Sequence, residues 1–568
     1  MKKMPKLTTD DFVAALHYPL GRALGVARSA SIDPNEIPDE EVPLAALFTK
    51  IINDGLASLQ GGEASGKVLV VGAGPAGLSA AYELKRAGME VVLLESSQRV
   101  GGRVKTISEP FAQGLHGEGG AMRLPQNHVL VRTYLAKFGL DSQLETFEQE
   151  NKLIYLSNYG KTITYTQFNQ LLCDRDPSLL KCFPDMSEHE KGKTIDMLWA
   201  AAVKPVVEEF NAIYAGDPAN IARAYQVITD KYDQYSLQTY FEQVAGWSQD
   251  CISLFDLGSP HVVLDNAFIE SWKDAFLSSQ SGGQQAGMQQ LMQGMDQIPL
   301  AFLDPALPAT LKDAVRYGAK VVSTRYLADG GRGRRVEVVY RNRAGMHASE
   351  FADYVLFTIP FTAQRMVQVD PPFSIRKANA IRSLRYVEVT KILLQFKTRW
   401  WETYLKERGQ KPEGGVVTDL PIRYAMFPVS TSAQFKNGQN RGVIMASYTF
   451  QQDATETGAL TNEAVVRLAA DNMATIFGRA LIDDNLELGT SQAWSADSFS
   501  GGSAFTYFAP MQKTRLFGTM IEPEWGKAAH FAGEHVSYSH GWIEGAFESA
   551  LRASYQIYMD AIGTKNIG

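Results

Sequence analysis

The chain has 568 residues, 45 % of them hydrophobic, which allows two to four domains and a sizeable core. A net charge of −7 and a pI near 5.8 argue against nucleic-acid or anionic-membrane partners. Three cysteines, Cys173, Cys182 and Cys251, offer neither a metal-binding spacing nor a disulfide framework, and their odd number suits a reducing compartment.

The first residues, Met1 to Asp11, lack the apolar segment of a secretory signal. The longest uncharged apolar stretch, Val68 to Tyr82, is too short and Gly-rich to span a bilayer. A cytoplasmic protein without a membrane partner is the expectation. Residues 1–65 carry helical patterns at Asp11 to Leu24 and Val42 to Leu59, then a Gly-rich approach, 61–66. An extension of this length is expected to pack on another domain, here the substrate domain.

The most informative stretch is 67–103. Val68 to Val71 is a short apolar run, read as a strand buried on both faces. Gly72, Gly74 and Gly77 follow in G-x-G-x-x-G spacing, and Leu78 to Leu84 reads as a helix. A second apolar run, Val91 to Leu94, stops at Glu95, 18 residues after Gly77. Each part has a task in dinucleotide binding. Gly72 permits the tight turn, Gly74 and Ala76 let a pyrophosphate approach, and Gly77 packs helix on strand. Glu95 stands where a carboxylate accepts hydrogen bonds from an adenosine ribose. Gly101, Gly102 and Arg103 then supply open backbone and a guanidinium fork for a further phosphate contact.

The run Leu94-Glu-Ser-Ser-Gln-Arg-Val-Gly-Gly-Arg103 resembles the flavin-containing amine oxidase superfamily. The resemblance continues in order to about residue 555. It implies an α/β and α+β chain with a discontinuous Rossmann-like FAD-binding domain (66–106, 288–383 and 521–568). A mixed-sheet substrate domain (107–160 and 384–520) and a helical insertion (161–287) are threaded through it. Relatives that tether flavin use a late cysteine. No cysteine follows Cys251, so non-covalent FAD is expected.

His116-Gly-Glu-Gly-Gly-Ala-Met-Arg-Leu-Pro125 comes next. Its glycines indicate backbone passing close to a ligand. By residue type, Arg123 is either a structural cation paired with an acid such as Glu118 or a carboxylate anchor. Gly-Gly-Ala-Met-Arg-Leu-Pro is very similar to the L-amino acid oxidase segment whose Arg grips the substrate carboxylate. That resemblance implies the anchor role for Arg123, with Gly120, Ala121 and Met122 along the flavin.

Ile195, Leu198, Ala202, Val206, Phe210 and Ile213 recur at helical spacing, and further helical patterns run over 219–230, 236–246 and 265–277. The loop 280–287 reads as a boundary. Strands are expected from Ala319 to Arg325, Val336 to Arg341 and Ala352 to Ile359. In the family the backbone at Val322 touches the adenine.

Lys391 stands in the apolar strand 385–396, either snorkelling or held by a specific partner. The resemblance places it beside the flavin, holding a water. The stretch 418–428 resembles a substrate-domain strand of the L-amino acid oxidases, and Tyr424 within it is a candidate for a second carboxylate contact. The family's tyrosine aligns with Met426 or Phe427, which leaves that contact open. Trp494 is a candidate wall of the flavin or substrate site, or plain core. His530-Phe-Ala-Gly-Glu-His535 resembles the strand whose acid, here Glu534, contacts the ribityl chain or phosphate. His540-Gly-Trp-Ile543 opens a helix whose first N–H groups suit a flavin edge. Gly541, Trp542 and Ile543 are therefore expected along the cofactor, with Gly541 and Trp542 on the substrate face. His535 and His540 are expected to be structural.

The activity so implied is FAD-dependent oxidative deamination of an L-amino acid by molecular oxygen. Large apolar or aromatic substrates are expected, or a broad range, in a homodimer by family analogy. A decarboxylating amino acid 2-monooxygenase, a polyamine or monoamine oxidase, and a flavin-binding scaffold without turnover stay open at this stage.

Overall fold

A computed structural model describes residues 44–565, apart from 61, 216, 218–219, 261, 274–286, 329–334, 430–434 and 436–439. The helical pattern at Asp11 to Leu24 and nearly all of the loop 280–287 lie outside the described residues.

A five-stranded parallel sheet holds the fingerprint. Its order is Val315–Tyr317, Glu90–Glu95, Lys67–Val71, Tyr354–Phe357, Ala529–Phe531. The central strand is buried on both faces, as its unbroken apolar run requires, with Val68, Leu69 and Val70 fully enclosed. The helix Pro75–Arg86 crosses directly behind it and packs along the C-terminal helix Ile543–Lys565. Strands of one sheet thus come from three separated parts of the chain.

Gly77 explains the tightness of this unit. A Cβ there would lie 1.9 Å from the Gly72 carbonyl oxygen and 2.8 Å from Thr358 Oγ1. A Cβ on Gly74 would meet nothing within 4 Å. The first glycine serves packing, and the second leaves open space.

A seven-stranded sheet forms the second body. Its order is Leu486–Ala493, Val389–Phe396, Gly442–Phe450, Tyr424–Phe427, Gly414–Thr418, Asn151–Leu156, Lys161–Thr164. All eight residues of Val389–Phe396 are buried. The stretch 418–428, expected as one strand, is a hairpin. Thr418 ends one strand, Arg423 turns with φ +55°, and Tyr424 begins the next.

Between Tyr165 and Lys273 the described residues form helices and no named strand. Ile195–Tyr214 buries Ile195, Leu198, Ala202, Val206 and Phe210 at the predicted spacing, and Ile213 is partly buried. Ahead of the fingerprint, Leu44–Asp54 packs on Val129–Lys137 and on the C-terminal helix. Arg86 donates to the carbonyls of Ile52 and Asn53 at its end. Among the described residues no helix is long and apolar enough to cross a membrane.

Gly77→Ala should destabilise this unit by about 1–3 kcal/mol, the usual cost of overpacking. Gly74→Ala should unfold close to wild type, because its methyl has room. Thermal melts of protein stripped of bound small molecules check both.

Candidate active site

A cavity of about 510 Å³ opens along the carboxyl ends of the parallel strands. Gly72, Glu95, Thr358 to Pro360 and Gly533 with Glu534 line it just beyond four of those strands. This is where open α/β sheets bind ligands. Gly74, Ala76, Gly102 and Arg103 complete that end. Gly77 does not line the cavity; its work is packing. Val322 does not line it either, and falls where the strand Lys320–Tyr326 bulges between Val321 and Ser323.

The polar groups of this end are fixed. Glu95 accepts the backbone N–H of Ala73 at 2.8 Å and of Ser97 at 2.7 Å, which ties the second strand to the glycine turn. Arg103 donates to Glu534 at 2.7 Å and to the Ala504 carbonyl at 2.9 Å. The other Glu534 oxygen accepts from the N–H of Gly541 at 3.1 Å. One carboxylate therefore joins the early arginine to the turn before the last helix.

The other end is built on the segment 117–123. A Cβ on Gly120 would lie 1.9 Å from the Arg103 carbonyl oxygen, so only glycine lets the two stretches lie together. The carbonyls of this segment are held by the mixed sheet. Lys391 Nζ donates to Gly120 O at 2.6 Å and Glu118 O at 3.3 Å. It also lies 3.3 Å from Met122 Sδ. Trp494 Nε1 donates to Gly119 O at 2.8 Å. Lys391 is thus held by specific partners rather than snorkelling. Burial pushes its pKa down to about 7, opposed by the Glu118 carboxylate and reinforced by Arg123. Burial pushes the Glu118 carboxyl up to about 8, opposed by the Met295 N–H and the Thr106 hydroxyl.

Five cations line the cavity: Arg99, Arg103, Lys105, Arg123 and Lys391. Four are occupied. Arg99 donates to the carbonyls of Val100, Gly102 and Val104. Arg103 pairs with Glu534, Lys105 with the Gln492 amide oxygen, and Lys391 with the segment carbonyls. Arg123 has no hydrogen-bond acceptor and no ion pair among the described residues. Its guanidinium carbon lies 5.8 Å from the Trp542 ring centre. Glu118, the alternative partner, turns instead to Thr106 and Met295.

Trp542, Gly541 and Ile543 line the cavity together with Ala121, Met122 and Trp494. Tyr424 does not; its hydroxyl donates to the Gln149 carbonyl at 3.3 Å, yet Arg123 stands near enough to oppose the burial that raises its pKa. Sequence reasoning missed Tyr448. It lines the cavity, lies under Lys391 at 4.8 Å, and its hydroxyl makes no hydrogen bond among the described residues. Phe450, Phe505 and Tyr507 extend that aromatic wall. Strand alternation would have placed Tyr448 and Phe450 on one face, but nothing in the sequence says which face meets the cavity.

Comparison with known proteins accords with this geometry. Residues 75–558 match the model of the flavin containing amine oxidoreductases. The chain is 31 % identical over 515 residues to YobN of Bacillus subtilis (strain 168), covering 90 % of this chain and 98 % of that one. It is also 31 % identical over 493 residues to the L-amino-acid oxidase of Naja atra, covering 86 % and 87 %. Among solved structures, a putrescine oxidase redesigned in its cofactor binding superposes with a TM-score of 0.61 at 17 % identity. That match covers 88 % of this chain and all of the other, and shows a shared fold. The chain belongs to the flavin-containing amine oxidoreductase family.

Proposed function

We propose that the protein is an FAD-dependent L-amino acid oxidase. The observation that carries this reading is Arg123, a half-buried guanidinium on the cavity wall with no acceptor of its own. A cation left so calls for an anionic ligand, and a guanidinium fork suits a carboxylate. The relatives named L-amino-acid oxidases support the same reading.

The site fits FAD. Open space over Gly74 and the start of the helix Pro75–Arg86 suit the pyrophosphate, and Glu95 suits the adenosine ribose. Arg103 and Glu534 would hold the middle of the cofactor, and Gly541 to Ile543 its far end. None of the three cysteines lines the cavity, which supports non-covalent binding. Bound FAD would supply the two-electron acceptor.

The protein's part is placement. Arg123 grips the α-carboxylate through its N–H groups, and the Tyr448 hydroxyl offers it a second contact. Together they fix the α-carbon, and positioning of this kind contributes several kcal/mol to reactivity. Trp542 and Trp494 wall the site from water. The aromatic wall of Tyr448, Phe450, Phe505 and Tyr507 suits a large apolar or aromatic side chain. The net reaction takes an L-amino acid, oxygen and water to a 2-oxo acid, ammonia and hydrogen peroxide.

Anaerobic addition of L-amino acids should bleach the bound flavin, whereas their decarboxylated amines should not. Bleaching by amines alone would overturn the reading. Amide and carbon dioxide as products would redirect it to a decarboxylating monooxygenase. Arg123→Ala should lose about 2–5 kcal/mol in kcat/KM, as when one side of a buried charge pair is removed.

Lys391 and Glu118 are a buried pair that titrates as a unit, so activity should also change with pH as the pair exchanges its proton. The Glu118 carboxylate raises the pKa of Lys391, so Glu118→Gln removes that support. The lysine should then lose its proton at lower pH, and the inflection should move down. A pH–rate profile of the variant beside wild type checks the sign.

A further inference from the structure

The turn that carries Trp542 is gripped from outside the cavity. Residues 268–273 form a helical turn at the end of the helical region. Two of its side chains, three residues apart, reach the same loop. Glu270 Oε2 lies 2.9 Å from His540 Nδ1, with the side chains only 3 % and 1 % exposed. Lys273 Nζ donates to the Tyr538 carbonyl at 2.6 Å. The same stretch is fastened below, where the N–H of Ala267 donates to Phe508 O at 2.7 Å. The Phe508 ring stands edge-on to His540, with centroids 4.5 Å apart.

Burial would push the Glu270 carboxyl up, but Lys273, His540 and Lys513 outweigh it and hold it at about 2. An ionised carboxylate only accepts, so Nδ1 of His540 carries the proton and the ring orientation is set. Gly541 follows with φ +76°, and its N–H is tied to Glu534 from the cavity side. Trp542 comes next, its ring against the edge of His128 at 5.0 Å and beside Arg123. Neither Glu270 nor Lys273 lines the cavity.

We propose that Glu270, assisted by Lys273, is a positioning residue: through His540 it fixes the turn that sets Trp542 against the Arg123 anchor. An apolar contact would fill the same volume, and buried ion pairs are often replaceable on stability grounds. A directional acceptor does more, since it fixes the ring two residues before Trp542. Displacements near 1 Å at such a wall can cost about a hundredfold in rate. The inference rests on the reading of the cavity as an amino-acid site.

The test uses FAD-loaded wild type and the variants E270Q, E270D and E270L. It measures kcat and KM for a substrate L-amino acid, and the dissociation constant of benzoate from the change in flavin absorbance. E270Q keeps an acceptor for Nδ1–H and should stay within about threefold of wild type, whereas E270L should raise KM and the benzoate constant about tenfold or more. E270D keeps the charge but draws the acceptor back by one methylene, and should shift both in the same direction. If E270L does not fold, E270D decides. An E270D or E270L protein that matches wild type in KM and benzoate affinity overturns the inference. So does an E270Q protein as impaired as E270L. A wild-type protein that turns over no amino acid overturns the reading of the cavity instead, which separates the two failures.

Discussion

Three consecutive carbonyls, those of Glu118, Gly119 and Gly120, are held by two side chains, one from the mixed sheet and one just beyond it. Much of the site depends on that contact. The segment carrying these carbonyls is pressed so closely on Arg103 that only glycine fits at 120. Buried carbonyls without donors would each cost free energy comparable to a lost hydrogen bond. The donors come from Lys391, in a wholly buried strand, and from Trp494, just after the neighbouring strand. The glycine segment, packed on Arg103, and the mixed sheet are thereby locked to one another at the cavity. Arg123 lies three residues beyond Gly120, so its position is set by this lock.

The same economy of means appears at the opposite end. Glu534 receives Arg103 on one oxygen and the N–H groups of Gly541 and Thr506 on the other. It ties a residue near the fingerprint to the turn before the last helix, although 431 positions separate Arg103 and Glu534. Glu270 does the equivalent from the helical side of that turn. Charged side chains buried in this way are weak evidence for stability. They are better evidence for geometry, because each accepts or donates along a defined direction.

Much of the fold was legible locally. The strand–turn–helix of the fingerprint shows itself through an unbroken apolar run, three glycines at fixed spacing and a terminal acid, all within 29 residues from Lys67 to Glu95. Helical periodicity from Ile195 to Ile213 is likewise a local signal. A place on the cavity was legible only where it follows from a residue's own segment, as for Gly72, Gly74 and Glu95. Lys391 looked anomalous in its strand, but its acceptors lie about 270 positions earlier, and no pattern in the strand names them. Tyr424 illustrates the same limit. Its stretch reads as one strand, yet a residue with positive φ at Arg423 makes it a hairpin, and the tyrosine hydroxyl meets Gln149. Tyr448 entered the cavity from a different strand, whose pairing could not be read from period two alone.

The five cations of the cavity show why chemistry can be inferred without a ligand. An arginine beside a ligand site is common and says little. What discriminates is the state of its donors. Arg99 is spent on backbone carbonyls, Arg103 on a carboxylate, Lys105 on an amide and Lys391 on the glycine segment. These four hold the walls in place. Arg123 holds nothing among the described residues, and Glu118, the acid nearest to it in sequence, is turned away by Thr106 and Met295. On the proposed reading, a guanidinium kept free of acceptors while every other cation on the wall is engaged serves binding rather than structure. The proposed complement is the carboxylate of an amino acid, and the aromatic wall beside Arg123 would give that substrate an apolar side to bury.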